Sequence, residues 1–232
     1  MKKFFIAAVG ITMLACTNNA NSNAEEVTVM RHVVDYTKIE ASQGIKVDVL
    51  AGNADSLSVT APSDIIDKII TEVKDGTLMI HWDRKANIKT PHRIEVSVPM
   101  KAVNLIKASS GATVITDTVR GNELKFYSSS GSQINTMVEA QSVIAKTSSG
   151  ASIKIVGQTK NAEYEASSGS HITANKLQAV DVNAEASSGA GIKVNTGSKL
   201  EAKAHSGAHI RYSGSPNMVY VESGSGGSIS KL

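Results

Sequence analysis

Cysteine is almost missing: the 232 residues hold one, Cys16. Aromatic residues make up 4%, which excludes a large aromatic core and a base-stacking nucleic-acid surface. Charge of one sign is lacking too. Lys and Arg number 24 against 21 Asp and Glu, and without residues 1–15, which carry Lys2 and Lys3, the count is 22 against 21. No basic patch stands out along the chain, so nucleic acid is not an expected partner. A phosphate-cradling loop is also absent. The string SGSGGS from Ser223 to Ser228 has no Lys-Ser/Thr pair and no helix behind it.

What is present is a period. Seven Ser-Gly steps are each followed three residues on by Val or Ile. The glycines are Gly111, Gly131, Gly150, Gly169, Gly189, Gly207 and Gly226, at spacings of 20, 19, 19, 20, 18 and 19 residues. The aliphatics are Val114, Ile134, Ile153, Ile172, Ile192, Ile210 and Ile229. A fixed period of this size marks a solenoid whose coils bury their faces only by stacking. Counting from each glycine, position −1 is Ser throughout, −3 is Ala, Ser or Thr, and −5 is apolar. Position −4 reads Lys107, Tyr127, Lys146, Glu165, Glu185, Lys203 and Glu222. This alternation is that of a strand with one face buried.

At ~3.3 Å per residue, a coil of about 19 residues traces at most ~63 Å, and coils stack as parallel strands ~4.8 Å apart. The expected fold is therefore all-β: a single-stranded parallel β-helix in which like residues lie above like. The small residues at −3 and +1 predict a tight corner. The glycine is placed at the bend, where a positive φ is needed. The serine column is expected to pass hydrogen bonds along the stack or to corner carbonyls.

Three regions follow. Residues 1–24 read as an export signal and the start of a tether. Lys2-Lys3 is its positive end, and the apolar-rich run Phe4 to Ala15 has 12 residues, too few to span a bilayer. Met13-Leu14-Ala15-Cys16 resembles a bacterial lipobox, which makes Cys16 the expected lipidation site. Residues 25–104 read as a β-rich N-terminal cap, and 105–232 as the solenoid. Within the cap, Ile45, Val47 and Val49 alternate, and so do Ile94, Val96 and Val98. Ser63 opens DIIDKIITEV as a candidate helix N-cap, though the β-branched content fits a strand nearly as well. Asp75-Gly76 predicts a hairpin between IITEVK and TLMIHW.

Gly44-Ile45-Lys46, the stretch APSDIIDKIITEVKDGTLMI and the Ser-Gly-x-x-Ile repeats together resemble the putative auto-transporter adhesin, head GIN domain family of Bacteroidetes envelopes, over roughly residues 33–230. Lys46 stands where a literal Gly-Ile-Asn has Asn. The resemblance implies an exported β-helical protein of adhesin type and carries no catalytic residues.

The chain offers little reaction chemistry. His171 and His209 share position +2 but lie two coils apart, about 9.6 Å along the stack, too far to share a metal. His205 and His209 flank one bend with no Asp or Cys converging on them. Glu165 and Glu185 on neighbouring rungs are the one close carboxylate pair, on a face expected to be flat. Lys146 with Glu165 and Glu185 with Lys203 read as cross-rung ion pairs. No cofactor and no metal site are expected. The reading is a non-enzymatic, lipid-anchored module of the cell envelope, at the outer membrane on its periplasmic or outer side. Its partners are the membrane through Cys16, a glycan or envelope protein on a solenoid face, and other copies of itself. The alternatives are a carbohydrate-active enzyme on the same scaffold and a self-assembling envelope scaffold.

Overall fold

The computed structural model describes residues 24–83, 85–86 and 93–232; Cys16 and the export signal lie outside them. The N-terminal part contains β1 (Glu26–His32), β2 (Lys38–Ala41), β3 (Lys46–Ala51), β4 (Ser56–Pro62), β5 (Ile69–Lys74), β6 (Thr77–Trp82) and β7 (Glu95–Met100). The repeats follow as β8 (Leu105–Ala108), β9 (Thr113–Ser128), β10 (Gln133–Thr147), β11 (Ser152–Ala166) and β12 (His171–Ala186). They end with β13 (Gly191–Ala204), β14 (His209–Gly214), β15 (Met218–Ser223) and β16 (Ser228–Lys231). All sixteen strands join one sheet. The fold is the expected parallel β-solenoid.

The aliphatic file is continuous. Val114 pairs in register with Ile134, and Ile134 with Ile153. Ile172, Ile192, Ile210 and Ile229 follow rung by rung. The first six of the seven are 0–1% exposed, while Ile229 on the last rung is half-buried. Position −5 supplies a second buried file that includes Phe126 and Tyr164. Burial holds the Tyr164 hydroxyl well above its usual pKa. The spacing varies between 18 and 20 residues, and the arm after each turn absorbs the difference. Register shifts fall between Asn135 and Met137, between Lys154 and Val156, and between Ala174 and Ala179, as β-bulges permit.

Each corner is a two-residue turn in which both central residues are left-handed. The glycines have φ of 67–77°, as expected, and the preceding serines have φ of 49–53°. The N–H at +1 donates to the carbonyl at −2, for example Ala151 to Ser148 at 3.1 Å. This is the geometry of a type I′ turn. Neighbouring corners are stitched by backbone: the Gly150 N–H donates to the Ser168 carbonyl at 3.1 Å, and Gly131 to Ser149 at 3.0 Å.

The hydroxyl ladder is not where the sequence suggested. The −1 serines stand exposed at the turn tips, and it is their backbone carbonyls that run the column. The buried, bonded hydroxyls are at −3 and +1. Ser132 Oγ lies 2.8 Å from Ser128 Oγ and from the carbonyls of Ala108 and Ser129, and accepts the Ser129 N–H at 3.1 Å. Ser170 Oγ donates to Thr147 Oγ1 at 2.9 Å. Among the described residues no fully buried side-chain nitrogen or oxygen lacks a partner.

The cap contains a coil of its own. Gln43 and Gly44 take the Ser-Gly conformation, with φ of 62° and 75°. The Gly44 N–H donates to the Ser110 carbonyl at 2.9 Å, and Val47 pairs with Val114. Outside this coil lie β6 on β2 and β7 on β3, which bring Val96 against Val47. Antiparallel strands then close the stack: β5 on β6, β4 on β7 and β1 on β4. Asp75 and Gly76, with φ of 50° and 70°, form the expected hairpin turn. The candidate helix after Ser63 is only a 3-10 turn, Ile66–Lys68, whose N-cap is Ile65 with no side-chain bond. Chain-direction change, not helix, is what this segment supplies. Arg31 braces this segment, donating to Ile66 O at 2.8 Å and to Ile69 O.

Candidate functional site

The strand arm before each turn turns positions −4 and −2 outward together, because side chains alternate along a strand. At −2 this stacks five serines, Ser109, Ser129, Ser148, Ser167 and Ser187, followed by His205. At −4 it stacks Lys107, Tyr127, Lys146, Glu165, Glu185 and Lys203 beside them. The two files border an open groove of about 700 Å³ that reaches from Glu40 in the cap coil to His205. The face expected to be flat is therefore furrowed. The cause is the turn itself: the small residues at −3 and −2 sit low between the long −4 side chains and the raised turn tips.

Charge in the middle of the groove is paired. Lys146 Nζ lies 2.7 Å from Glu165 Oε1 and 3.7 Å from Glu163, and Lys203 lies 3.9 Å from Glu185. The hydrogen bond that Lys146 donates to Glu165 holds its ammonium above the usual pKa. Glu165 and Glu185 are register partners on adjacent rungs, as expected, but each carboxylate is turned toward a lysine. Tyr127 stands half-buried between Lys107 and Lys146 in the file. The result is a long hydroxyl-floored channel with one aromatic side chain and nearly balanced charge.

The family model described as "Putative auto-transporter adhesin, head GIN domain" matches residues 35–216. The chain belongs to that family. Solved structures share its fold. A putative adhesin from Bacteroides fragilis is 20% identical with a TM-score of 0.81, over 90% of this chain and 97% of that one. A structure from Parabacteroides distasonis titled a putative lipid binding protein is 18% identical, with a TM-score of 0.70, over 90% and 98%. A putative adhesin from Parabacteroides merdae is 16% identical, with a TM-score of 0.73, over 90% and 97%. Comparison with curated proteins finds no match.

Elsewhere on this head GIN domain the structure rearranges the histidines. His205 lines the groove, whereas His209 lies on the arm after the turn, so the two do not form a pair. His171 and His209 do. Their ring centroids are 6.3 Å apart, edge to face, although two rungs separate their backbones. Gly191 occupies the rung between them, and both rings lean over it. A Cβ there would lie 2.6 Å from His209 Nε2 and 3.0 Å from His171 Cδ2. The rings come closer than two rungs of backbone because the missing side chain at Gly191 lets them fold inward. Among the described residues no three His, Cys, Asp or Glu side chains gather as a metal site. Nor is any helix among them long and apolar enough to cross a membrane.

The apparent absence of a basic patch is also corrected. The register sorts charge by arm. On the arms after the turns, the segments 152–158, 171–178, 191–197 and 209–214 contain Lys154, Lys176, Lys193, Arg211 and two histidines, but no Asp or Glu. On these rungs the pre-turn arms hold the carboxylates, including Glu163, Glu165, Asp181, Glu185 and Glu201, whereas the two earlier post-turn arms carry Asp117 and Glu139. A near-neutral total hides two faces of different charge.

Proposed function

We propose that this head GIN domain is a non-catalytic binding module of the cell envelope whose working surface is the groove between the −4 and −2 files. The observation that carries the reading is the groove's form. It is long, lined by serine hydroxyls with one accessible tyrosine, and repeated rung by rung. That suits an extended glycan, which offers many hydroxyls and presents faces that stack on aromatic rings. One structural neighbour is titled lipid binding, but an acyl chain laid in this groove would desolvate the Lys and Glu side chains along it. Lipidation at Cys16 would tether the module to the outer membrane, with the polar residues 17–24 as spacer.

Catalysis is disfavoured by the salt pairing. A retaining glycosidase needs one carboxyl held protonated beside an ionised one, and here lysines neutralise both Glu165 and Glu185. A test is calorimetry of the full chain against neutral oligosaccharides. Binding that weakens about tenfold in Tyr127→Ala supports the groove. Hydrolysis that disappears in E165Q/E185Q would instead establish an enzyme. Incorporation of labelled fatty acid by wild type but not Cys16→Ser tests the anchor.

A second reading has one observation behind it. Met218, Val219, Tyr220 and Val221 on β15 are 42–59% exposed, an apolar strand that suits end-to-end pairing of copies. Concentration-dependent sedimentation, abolished by Val221→Lys, would support it.

A further inference from the structure

The arm after the turn carries a stripe of cations that the groove does not use. Lys154, Thr173, Lys193 and Arg211 are successive register partners at position +4. Three rungs of ~4.8 Å make this column about 14 Å long. Lys154, Lys193 and Arg211 are exposed, as is Lys176 beside the bulge. None of the four forms an ion pair among the described residues. On the other arm Lys146, Lys199 and Lys203 have carboxylate partners, although Lys107 has none among the described residues. Alongside the column, His171 and His209 lean together over Gly191.

We infer that this stripe is a second binding surface, taking a saccharide chain that bears carboxylate or phosphate groups. Unpaired like charges held in register at fixed spacing repel one another, and an anionic partner relieves that repulsion. The histidine pair adds a charge that depends on pH. His209 is faced by His171 from β12, Lys193 from β13 and Arg211 from its own strand, and its register partner on β16 is the uncharged Ser228. Partial burial together with these cations makes its ring harder to protonate than a free histidine. An anion at the stripe reverses the sign of that influence, so protonation and binding favour each other. The same cations argue against a metal ion on the pair.

Other polyanions fit less well. Single-stranded nucleic acid stacks on aromatic platforms, and the four segments expose none, since Tyr212 is half-buried. A bilayer surface needs apolar side chains to insert. The four basic segments expose no large apolar side chain; Ile115, Met137 and Val180 lie beyond them.

The test uses the full chain in detergent with oligogalacturonate as the anionic probe, at pH 5.5 and pH 8. Binding should strengthen about two- to fivefold at the lower pH and weaken at high salt. Lys193→Gln and Arg211→Gln should each weaken it about two- to fivefold. H171N/H209N should keep the affinity seen at pH 8 and remove its pH dependence. Tyr127→Ala, which alters the groove without changing charge, should leave it unchanged, so this surface and the groove can fail separately. Absence of binding at pH 5.5 in low salt overturns the inference. Survival of binding in K154Q/K193Q/R211Q does so too. So does equal or tighter binding to phosphatidylglycerol vesicles or to a DNA oligomer.

Discussion

Gly157 lies directly against Val138 on the previous rung: a Cβ on Gly157 would fall 2.1 Å from the Val138 carbonyl oxygen. Its φ of 117° is also forbidden to residues with a side chain. The turn glycine Gly150 is different, with φ of 69° and nothing within 4 Å of its would-be Cβ. Gly150→Ala is therefore expected to cost about 1 kcal/mol through backbone strain alone. Gly157→Ala should cost about 3 kcal/mol or more. Urea melts of the two variants check the order. Equal losses would place the strain at the turn instead.

Burial of the aliphatic file predicts a graded response along it. Ile153 is 1% exposed in the middle of the stack. Ile153→Asp should destabilise by about 4 kcal/mol or more and unfold the array cooperatively. Ile153→Val should cost about 1 kcal/mol. Ile229→Asp, at the half-buried last rung, should cost far less than Ile153→Asp. Near-normal thermal melting of Ile153→Asp would contradict an inward file.

The position of the working hydroxyls can be read from alanine variants. Ser132→Ala strands the Ser128 hydroxyl, which Ser132 Oγ now partners, while the Ser129 N–H keeps the Ala108 carbonyl. A loss of about 1–2 kcal/mol is expected. Ser149→Ala removes an exposed hydroxyl at a turn tip and should change stability by less than about 0.5 kcal/mol. Chemical denaturation of both variants gives the comparison, and a larger loss at Ser149 would restore the hydroxyl ladder to the −1 column.

Acid should weaken the fold slightly through His209. Its pKa in the folded chain is depressed, first by desolvation and then by Arg211, His171 and Lys193. The unfolded chain therefore binds the proton more readily. The stability tied to this depression is present above the ordinary histidine pKa of about 6.5 and is lost as pH falls below it. For a largely solvated ring the loss is under about 1 kcal/mol. His209→Gln should be less acid-sensitive than wild type between pH 7 and pH 5 in the absence of anionic ligands. An unchanged slope would show that the ring does not feel Arg211 and Lys193.

Much of this architecture is legible in the chain because the solenoid writes itself periodically. Ser-Gly followed by Val or Ile reports both the turn and the buried file, and Asp75-Gly76 reports its hairpin. The cap coil at 38–51 is hidden because Gln43-Gly44 makes the same turn without the serine. Its neighbours are hidden for another reason: β6 and β7 lie outside β2 and β3, so order in the stack departs from order in the chain. The groove and the basic stripe emerge only when residues about 19 apart are laid side by side, since along the chain Lys193 and Arg211 are separated by acidic Glu201. The histidine contact depends on Gly191, whose contribution is an empty space. Single-residue patterns do not announce such a space.

Because each rung returns the backbone to the same register, molecular length is adjustable. Excision of residues 151–169 would join Gly150 to Ser170 and leave a Ser-Gly turn followed at +3 by Ile172. The shortened chain would close without a mismatched seam, with a furrow one step briefer. Lineages built on this plan can thus fit their reach to different targets by gaining or shedding whole windings, while every remaining contact keeps its form.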